Sequence, residues 1–203
     1  MNEEKALKQI KFMESHSKKM RLAAEKWKSP WQILISTILS ARTRDEKTIP
    51  VSIRLFKKYS NTKKLANAKV KEVEKIIKPL NFYKNKSKNI INCSKKIVER
   101  HNGRVPKTIE ELTGLSGVGR KTANVFLSEV GYDAIGIDTH VSYISQKLGW
   151  TENKNPDKIE RDLKKLFSKK NWKIINSRLV RFGKTNTSRK KKDKLLEEIK
   201  RIK

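Results

Sequence analysis

The sequence predicts an all-α protein, and three observations support this fold class. Aliphatic residues recur at helical spacing along most of the chain. Glycine and proline are scarce, with eight and five among 203 residues, so few breaks separate the periodic segments. Helix-starting pairs precede apolar stretches, as at Ser29-Pro30 and Asn155-Pro156. The chain is long enough for one sizeable core or for two small lobes.

The first half of the chain is predicted to contain five helices. Residues 1–28 have the pattern of one amphipathic helix. Ser29 and Pro30 then start a nearly all-apolar helix over Trp31 to about Ala41, which we expect at the buried centre of a lobe. The segment SARTRDEKT follows it and is too charged for a core. Three further helices are predicted at about residues 49–58, 69–78 and 87–101.

Two features of this half allow more than one interpretation. Cys93 shares a helix face with apolar residues and is most simply a core residue, because no neighbour would activate its thiol. Phe82 and Tyr83 lie in the basic loop PLNFYKNKS. Aromatic side chains among lysines can stack on nucleic-acid bases. They can equally close the end of a helical bundle.

The most informative stretch runs from Thr108 to His140. Thr108 and Glu111 form a capping box that starts a short helix. A glycine hairpin follows, and Lys121 then lies in the first turn of a helix that Gly131 ends. Backbone N–H groups at the start of that helix suit a phosphate. Five of the chain's eight glycines fall in this stretch: Gly114, Gly117, Gly119, Gly131 and Gly136.

Four more helices are predicted toward the C-terminus. Asp138 is expected to cap the first, which Gly149 closes, and Asn155-Pro156 starts the second. A third is predicted near residues 172–182. Residues 188–203 form a basic helix with four aliphatic residues on one face: Leu195, Leu196, Ile199 and Ile202.

The net charge of +29, from 50 basic and 21 acidic residues, predicts attraction to a polyanion. A proteome with a general charge bias would produce the same excess without any function. A membrane surface is a weaker interpretation, because the basic residues are spread along the chain. The longest apolar run, Ile33–Ile35, is far too short to span a bilayer, and the N-terminus has no signal-peptide core. We expect a soluble, cytoplasmic and nucleoid-associated protein.

The hairpin and its flanks carry the pattern L-x-G-V-G-R-K-T-A-N-x-x-L, followed by D-T-H. This pattern strongly resembles the helix-hairpin-helix DNA glycosylases of the endonuclease III type, in the HhH-GPD superfamily. The similarity extends from about Ser29 to Phe182. The residues that carry it are Leu115, Gly117, Val118, Gly119, Arg120, Lys121, Thr122, Ala123, Asn124, Leu127, Asp138, Thr139 and His140.

The resemblance implies a two-lobed helical bundle with the active cleft between the lobes. Residues 28–134 would form the lobe that contains the hairpin, and residues 1–27 with 135–203 the other. The implied activity is that of a bifunctional DNA glycosylase and abasic-site lyase of base-excision repair. The protein is expected to be a monomer. Its expected substrate is double-stranded DNA that contains oxidised pyrimidines such as thymine glycol. The alternatives are 8-oxoguanine or abasic sites alone, or a non-enzymatic protein that only binds DNA.

Two residues would perform the chemistry. Lys121 would attack the sugar of the damaged nucleotide, and its position at a helix start beside Arg120 favours the neutral amine that a nucleophile requires. Without the family pattern, a contact between Lys121 and a DNA phosphate is the simpler interpretation. Asp138 would stabilise the cationic sugar and help to deprotonate Lys121. It can also be a helix cap, and the two roles are compatible.

Other residues are assigned to DNA binding or to support. Arg42 and Phe82 stand where the family has a glutamine and a leucine that enter the duplex, so both depart from its pattern. Arginine can fill a gap and donate hydrogen bonds, and phenylalanine can act as a wedge. The remaining predicted DNA contacts are Gly117, Val118, Gly119, Arg120, Thr122 and Lys84, and the predicted supporting residues are Asp45, Thr139 and His140.

The resemblance also concerns cofactors. Many relatives carry four cysteines after the last core helix, which ligate an iron–sulfur cluster, whereas Cys93 is the only cysteine here. We therefore expect no cluster, and we expect the basic helix at the C-terminus to replace its packing. We predict no metal ligated by side chains. The hairpin carbonyls from Leu115 to Val118 are candidates for a monovalent cation.

Overall fold

The computed structural model describes residues 1–202, and every regular element in that part of the chain is helical, which confirms the all-α prediction. The chain divides into two compact units. One comprises Met1–Met20 with Gly131–Lys203, and the other comprises Arg21–Val130. Among the described helices, none is both long enough and apolar enough to cross a bilayer.

The Arg21–Val130 unit is built around its most apolar helix, α2. Leu34, Ile35 and Leu39 of that helix are fully buried, as expected from its composition, and α2 packs against α3, α6 and α8. The helices of this unit are α2 (Pro30–Ser40), α3 (Asp45–Lys58), α4 (Thr62–Ala66), α5 (Val70–Ile77), α6 (Tyr83–His101), α7 (Ile109–Thr113) and α8 (Arg120–Glu129).

In the other unit, α11 packs against both α1 and α9, and α12 covers the same two helices. Ile10 of α1, Ile144 of α9 and Leu179 of α11 are fully buried in its core. The helices are α1 (Glu3–Ser15), α9 (Thr139–Lys147), α10 (Pro156–Leu166), α11 (Trp172–Thr185) and α12 (Arg189–Lys200), with a 3₁₀ turn at Lys169–Asn171 before α11.

The prediction of one helix over residues 1–28 is wrong, because α1 ends at Ser15. The Ser15 hydroxyl donates to the Phe12 carbonyl at 2.8 Å, and the Ser17 hydroxyl donates to the Met13 carbonyl at 2.7 Å. These side chains therefore satisfy carbonyls that a continuing helix would use. The loop that follows is held by Arg21, which donates to the Glu25 carbonyl at 2.9 Å.

Two helix starts also differ from the predictions, and one short helix was not predicted. Helix α3 begins at Asp45 rather than near residue 49, and acidic residues in its first turn suit the positive end of the helix dipole. Asp45 and Thr48 are buried, so the segment predicted to be too charged for a core contributes to one. Helix α6 begins at Tyr83 rather than Ser87, and the short helix α4 had no prediction.

The C-terminal helix α12 is docked by both apolar and polar contacts. Leu196 and Ile199 are buried, while Leu195 and Ile202 are half-buried. The side chain of Gln9 in α1 donates to the Ile199 carbonyl at 3.2 Å. Helix α12 thus supplies part of the core of its unit.

Deleting residues 188–203 is expected to lower the free energy of unfolding by about 4 kcal/mol, because two fully buried aliphatic side chains contribute about 2 kcal/mol each. The melting temperature should fall by roughly 10 °C for a chain of this length. Differential scanning calorimetry measures both. Lys194→Ala, an exposed substitution on the same helix, is the control and should change stability little. An unchanged melting temperature after the deletion would contradict a packing role for α12.

Candidate active site and nucleic-acid interface

The glycine hairpin joins α7 to α8 and is held by its own apolar residues. The Val118 N–H donates to the Leu115 carbonyl at 3.2 Å, which closes the turn. Leu115 and Val118 are buried, whereas Gly117 and Gly119 are exposed. The two buried side chains therefore anchor the hairpin, and the backbone of its two exposed glycines faces solvent.

Helix α6 fixes both ends of this hairpin. Gly117 has a φ of +78°, and a Cβ atom there would lie 2.9 Å from the Cβ of Asn89 in α6. The Lys96 ammonium, two turns further along α6, donates to the Gly114 carbonyl at 2.8 Å. Glycine is required at position 117 by both its backbone conformation and this close approach.

Lys121 lies at the second residue of α8, directly after the hairpin. Gly119 is the N-cap and has no side chain to occupy the first amides of the helix. Lys121 and Arg120 are exposed and Thr122 is half-buried, while buried Ala123 fixes the opposite face of the helix. This arrangement presents a primary amine at the positive end of a helix, next to exposed backbone.

Asp138 belongs to the other unit and is the N-cap of α9. Its Oδ1 atom accepts a hydrogen bond from the Val141 N–H at 2.9 Å, so the predicted capping role is confirmed. The carboxylate is half-buried. Because Oδ1 is held by the cap, the direction of Oδ2 is also fixed. Thr139 follows as the exposed first residue of α9.

His140 is a packed residue of α9. A Cβ atom added to Gly183 of α11 would overlap the imidazole ring, so only a glycine lets α11 approach this closely. This packing role of Gly183 was not predicted from the sequence. The available signal was a glycine in the middle of an apolar helical pattern, which often marks a close contact between elements.

Arg42 and Phe82 are far apart in the sequence but adjacent in the structure. The guanidinium carbon of Arg42 lies 5.8 Å from the centre of the Phe82 ring. Both residues have left-handed backbone, with φ values of +53° and +57°. Both are exposed, and Phe82 has 58% of its surface accessible. Non-glycine residues adopt this conformation rarely, and such strain concentrates at functional positions.

Two other predicted site residues flank this pair. Lys84 is exposed in the first turn of α6, two residues after Phe82. Asp45 is buried at the first residue of α3, three residues after Arg42. Its burial fits the supporting role predicted for it.

Lys86 is a buried residue that binds the backbone near Arg42, and it was not predicted from the sequence. The Lys86 ammonium donates to the Leu39 carbonyl at 2.7 Å and to the Thr43 hydroxyl at 2.9 Å. Burial lowers the pKa of Lys86 to about 8. Lys86 stands four residues before Ile90 and seven before Cys93, both buried, so helical spacing could have revealed it had α6 been extended by one turn.

These features define the chain as an all-α helix-hairpin-helix protein with a lysine beside the hairpin. Residues 35–169 match the family described as HhH-GPD superfamily base excision DNA repair protein. The chain belongs to this family, and the resemblance drawn from the motif is confirmed. It is a DNA glycosylase of base-excision repair.

Curated relatives and solved structures agree with the family. The chain is 45% identical to endonuclease III of Thermotoga maritima over 156 residues, which covers 76% of this chain and 73% of the relative. It is 41% identical to endonuclease III of Synechocystis over 159 residues, or 77% and 73% of the two chains. A solved endonuclease III, trapped as a covalent intermediate with DNA, superimposes with a TM-score of 0.82 at 31% identity, covering 93% and 89% of the chains.

Proposed function

We propose that this protein is a bifunctional DNA glycosylase and abasic-site lyase that acts through Lys121. The observation that carries the proposal is the exposed amine at the second residue of α8, next to a hairpin whose bare backbone faces solvent. The similarity to an endonuclease III trapped covalently with DNA supports it. A covalent intermediate is the route by which lysine amines split such reactions into two easier steps.

The proposed reaction begins with attack of the neutral Lys121 amine on C1′ of the damaged nucleotide. The C1′–base bond breaks, the base leaves with a proton, and opening of the sugar ring gives a Schiff base. Loss of a C2′ proton then expels the 3′ phosphate by β-elimination. Hydrolysis of the Schiff base releases Lys121. The Asp138 carboxylate would stabilise the cationic sugar and accept a proton from the amine.

Double-stranded DNA is the proposed partner, and several features favour it. The net charge of +29 attracts a polyanion. The first amides of α8 and the exposed glycines Gly117 and Gly119 suit a phosphate. Arg42 and Phe82 form one exposed projection, and we propose that it enters the duplex when the target nucleotide is extruded.

The proposed substrates are oxidised pyrimidines such as thymine glycol. The alternatives are the same chemistry on 8-oxoguanine or on abasic sites alone. Arg42 and Phe82 depart from the family's pattern at the positions that contact the opened duplex, so we expect these two side chains to influence which lesion is removed.

Borohydride trapping on a panel of duplexes tests the proposal. The protein is expected to form a reduced covalent complex on duplexes with an abasic site or thymine glycol, since borohydride reduces the Schiff base. An undamaged duplex of the same sequence is the control. Trapping on the abasic duplex alone would indicate a lyase without glycosylase activity. Absence of trapping on every duplex would contradict the Schiff-base route through Lys121.

We also propose that the enzyme works without an iron–sulfur cluster. Such clusters need several thiolates, and the sequence has one cysteine. Cys93 is fully buried in α6, as predicted for a core residue, and burial raises the pKa of its thiol to about 12. We also propose that the hairpin can bind a monovalent cation, because the Leu115 carbonyl accepts one hydrogen bond and keeps a second lone pair.

A further inference from the structure

The segment from Leu39 to Thr43, which carries Arg42, is bound on its buried side by the side chain of Lys86. Leu39 is in the last turn of α2, and Thr43 follows Arg42 directly. The Lys86 ammonium donates to the Leu39 carbonyl at 2.7 Å and to the Thr43 hydroxyl at 2.9 Å. Because the two acceptors lie on either side of Arg42, this single cation joins both ends of the segment.

The fold itself gains little from a charge at this position. Only 5% of the Lys86 surface is accessible, and within residues 1–202 no carboxylate forms an ion pair with it. Burying an unpaired ammonium is unfavourable, which its lowered pKa reflects. An apolar side chain of the same length would avoid that cost, but it would leave the Leu39 carbonyl and the Thr43 hydroxyl without this donor. The charge therefore serves the segment that it binds.

That segment holds a strained conformation. Arg42 has a φ of +53°, and Phe82, whose ring lies beside the Arg42 guanidinium, has a φ of +57°. On the exposed side, the Asn81 amide donates to the Arg42 carbonyl at 2.7 Å. Strained backbone persists only where its surroundings determine it. Lys86 and Asn81 supply those surroundings from opposite sides of Arg42.

We propose that Lys86 is a positioning residue that presents Arg42, with Phe82 beside it, to the opened duplex. This inference rests on the proposed function, in which Arg42 enters the DNA. Lys86 is too buried to contact DNA and acts through the segment from Leu39 to Thr43. Loosening the segment should therefore weaken binding to damaged DNA as much as loss of the Arg42 side chain does, and not further.

A double-mutant cycle tests the inference. The probe is a duplex with a tetrahydrofuran abasic analogue opposite 2-aminopurine, and affinity is measured by fluorescence anisotropy. Lys86→Met and Arg42→Ala are each expected to weaken binding by about tenfold, and the double variant by no more than Arg42→Ala alone, because coupled neighbours are not additive. The 2-aminopurine emission of the Lys86→Met complex should match that of the Arg42→Ala complex.

Two controls separate positioning from folding. Lys95→Met removes the same charge from the exposed face of α6 and should leave affinity and emission nearly unchanged. Lys86→Met removes a buried charge but also two hydrogen bonds, so its melting temperature is expected to change by only a few degrees. If that variant fails to fold, Thr43→Val removes the hydroxyl that Lys86 binds while keeping the side-chain shape, and should show the same non-additivity with Arg42→Ala.

The outcomes distinguish this inference from the proposed function. Additive effects of Lys86→Met or Thr43→Val with Arg42→Ala would overturn the positioning role while leaving Arg42 as a DNA contact. An unchanged affinity for Arg42→Ala, with borohydride trapping at Lys121 intact, would overturn both the insertion of Arg42 and the role of Lys86, but not the lyase. Absence of trapping would overturn the lyase itself.

Discussion

Lys121→Ala is expected to abolish the covalent complex that borohydride traps on an abasic duplex. The substitution removes the amine that would form the Schiff base, so the rate of strand cleavage should fall by roughly 10⁴-fold or more. Affinity for the duplex should change little, because Lys121 is proposed to react with the sugar rather than to bind a phosphate. Gel analysis of the reduced complex and anisotropy titration measure the two quantities.

The neighbouring residue offers a matched control. Arg120→Ala removes a charge from the same exposed turn of α8 but leaves the amine in place. It should weaken DNA binding while trapping still reaches completion at saturating protein. If Lys121→Ala retained trapping, the nucleophile would be another amine. If both variants only weakened binding, Lys121 would be a phosphate contact.

Asp138→Asn is expected to lower turnover by roughly 10²- to 10³-fold, the scale on which removal of one electrostatic group affects a transition state. The loss should occur with little change in DNA affinity or melting temperature. Asparagine caps helices as well as aspartate, so its side-chain oxygen can still accept from the Val141 N–H. Single-turnover kinetics and thermal unfolding separate the effects on chemistry and on stability.

Asp138→Ala is the comparison that isolates the cap. It removes both the charge and the acceptor, so it should cost about 1 kcal/mol of stability in addition to activity. A large fall in melting temperature for Asp138→Asn, or an unchanged turnover, would indicate that capping α9 is the main role of this residue.

The features predicted well from the sequence are those with a local signal. Thr108 starts α7 by accepting from the Glu111 N–H, Gly119 starts α8, and Asp138 caps α9. Each signal lies within a few residues of the structure that it specifies. The motif of the hairpin is equally local, so its family was identifiable from a short run of residues.

The features that were missed depend on contacts distant in the sequence. The pairing of Arg42 with Phe82 and the reach of Lys86 to Leu39 join α6 to residues around 40 positions earlier. A glycine is needed at position 183 only because the His140 ring packs against it, and His140 is distant in the sequence. The error over residues 1–28 is different in kind. Apolar spacing continues past Ser15, but the Ser15 hydroxyl and its neighbours end the helix.

The contacts made by helix α6 fix the number of residues in its middle. Phe82 precedes its first residue, Lys86 lies in its first turns, and Asn89 and Lys96 hold the hairpin. Adding or removing one residue between Lys86 and Lys96 would rotate one set of contacts by about 100° and shift it by about 1.5 Å relative to the other. Insertions and deletions should therefore be excluded from the middle of α6.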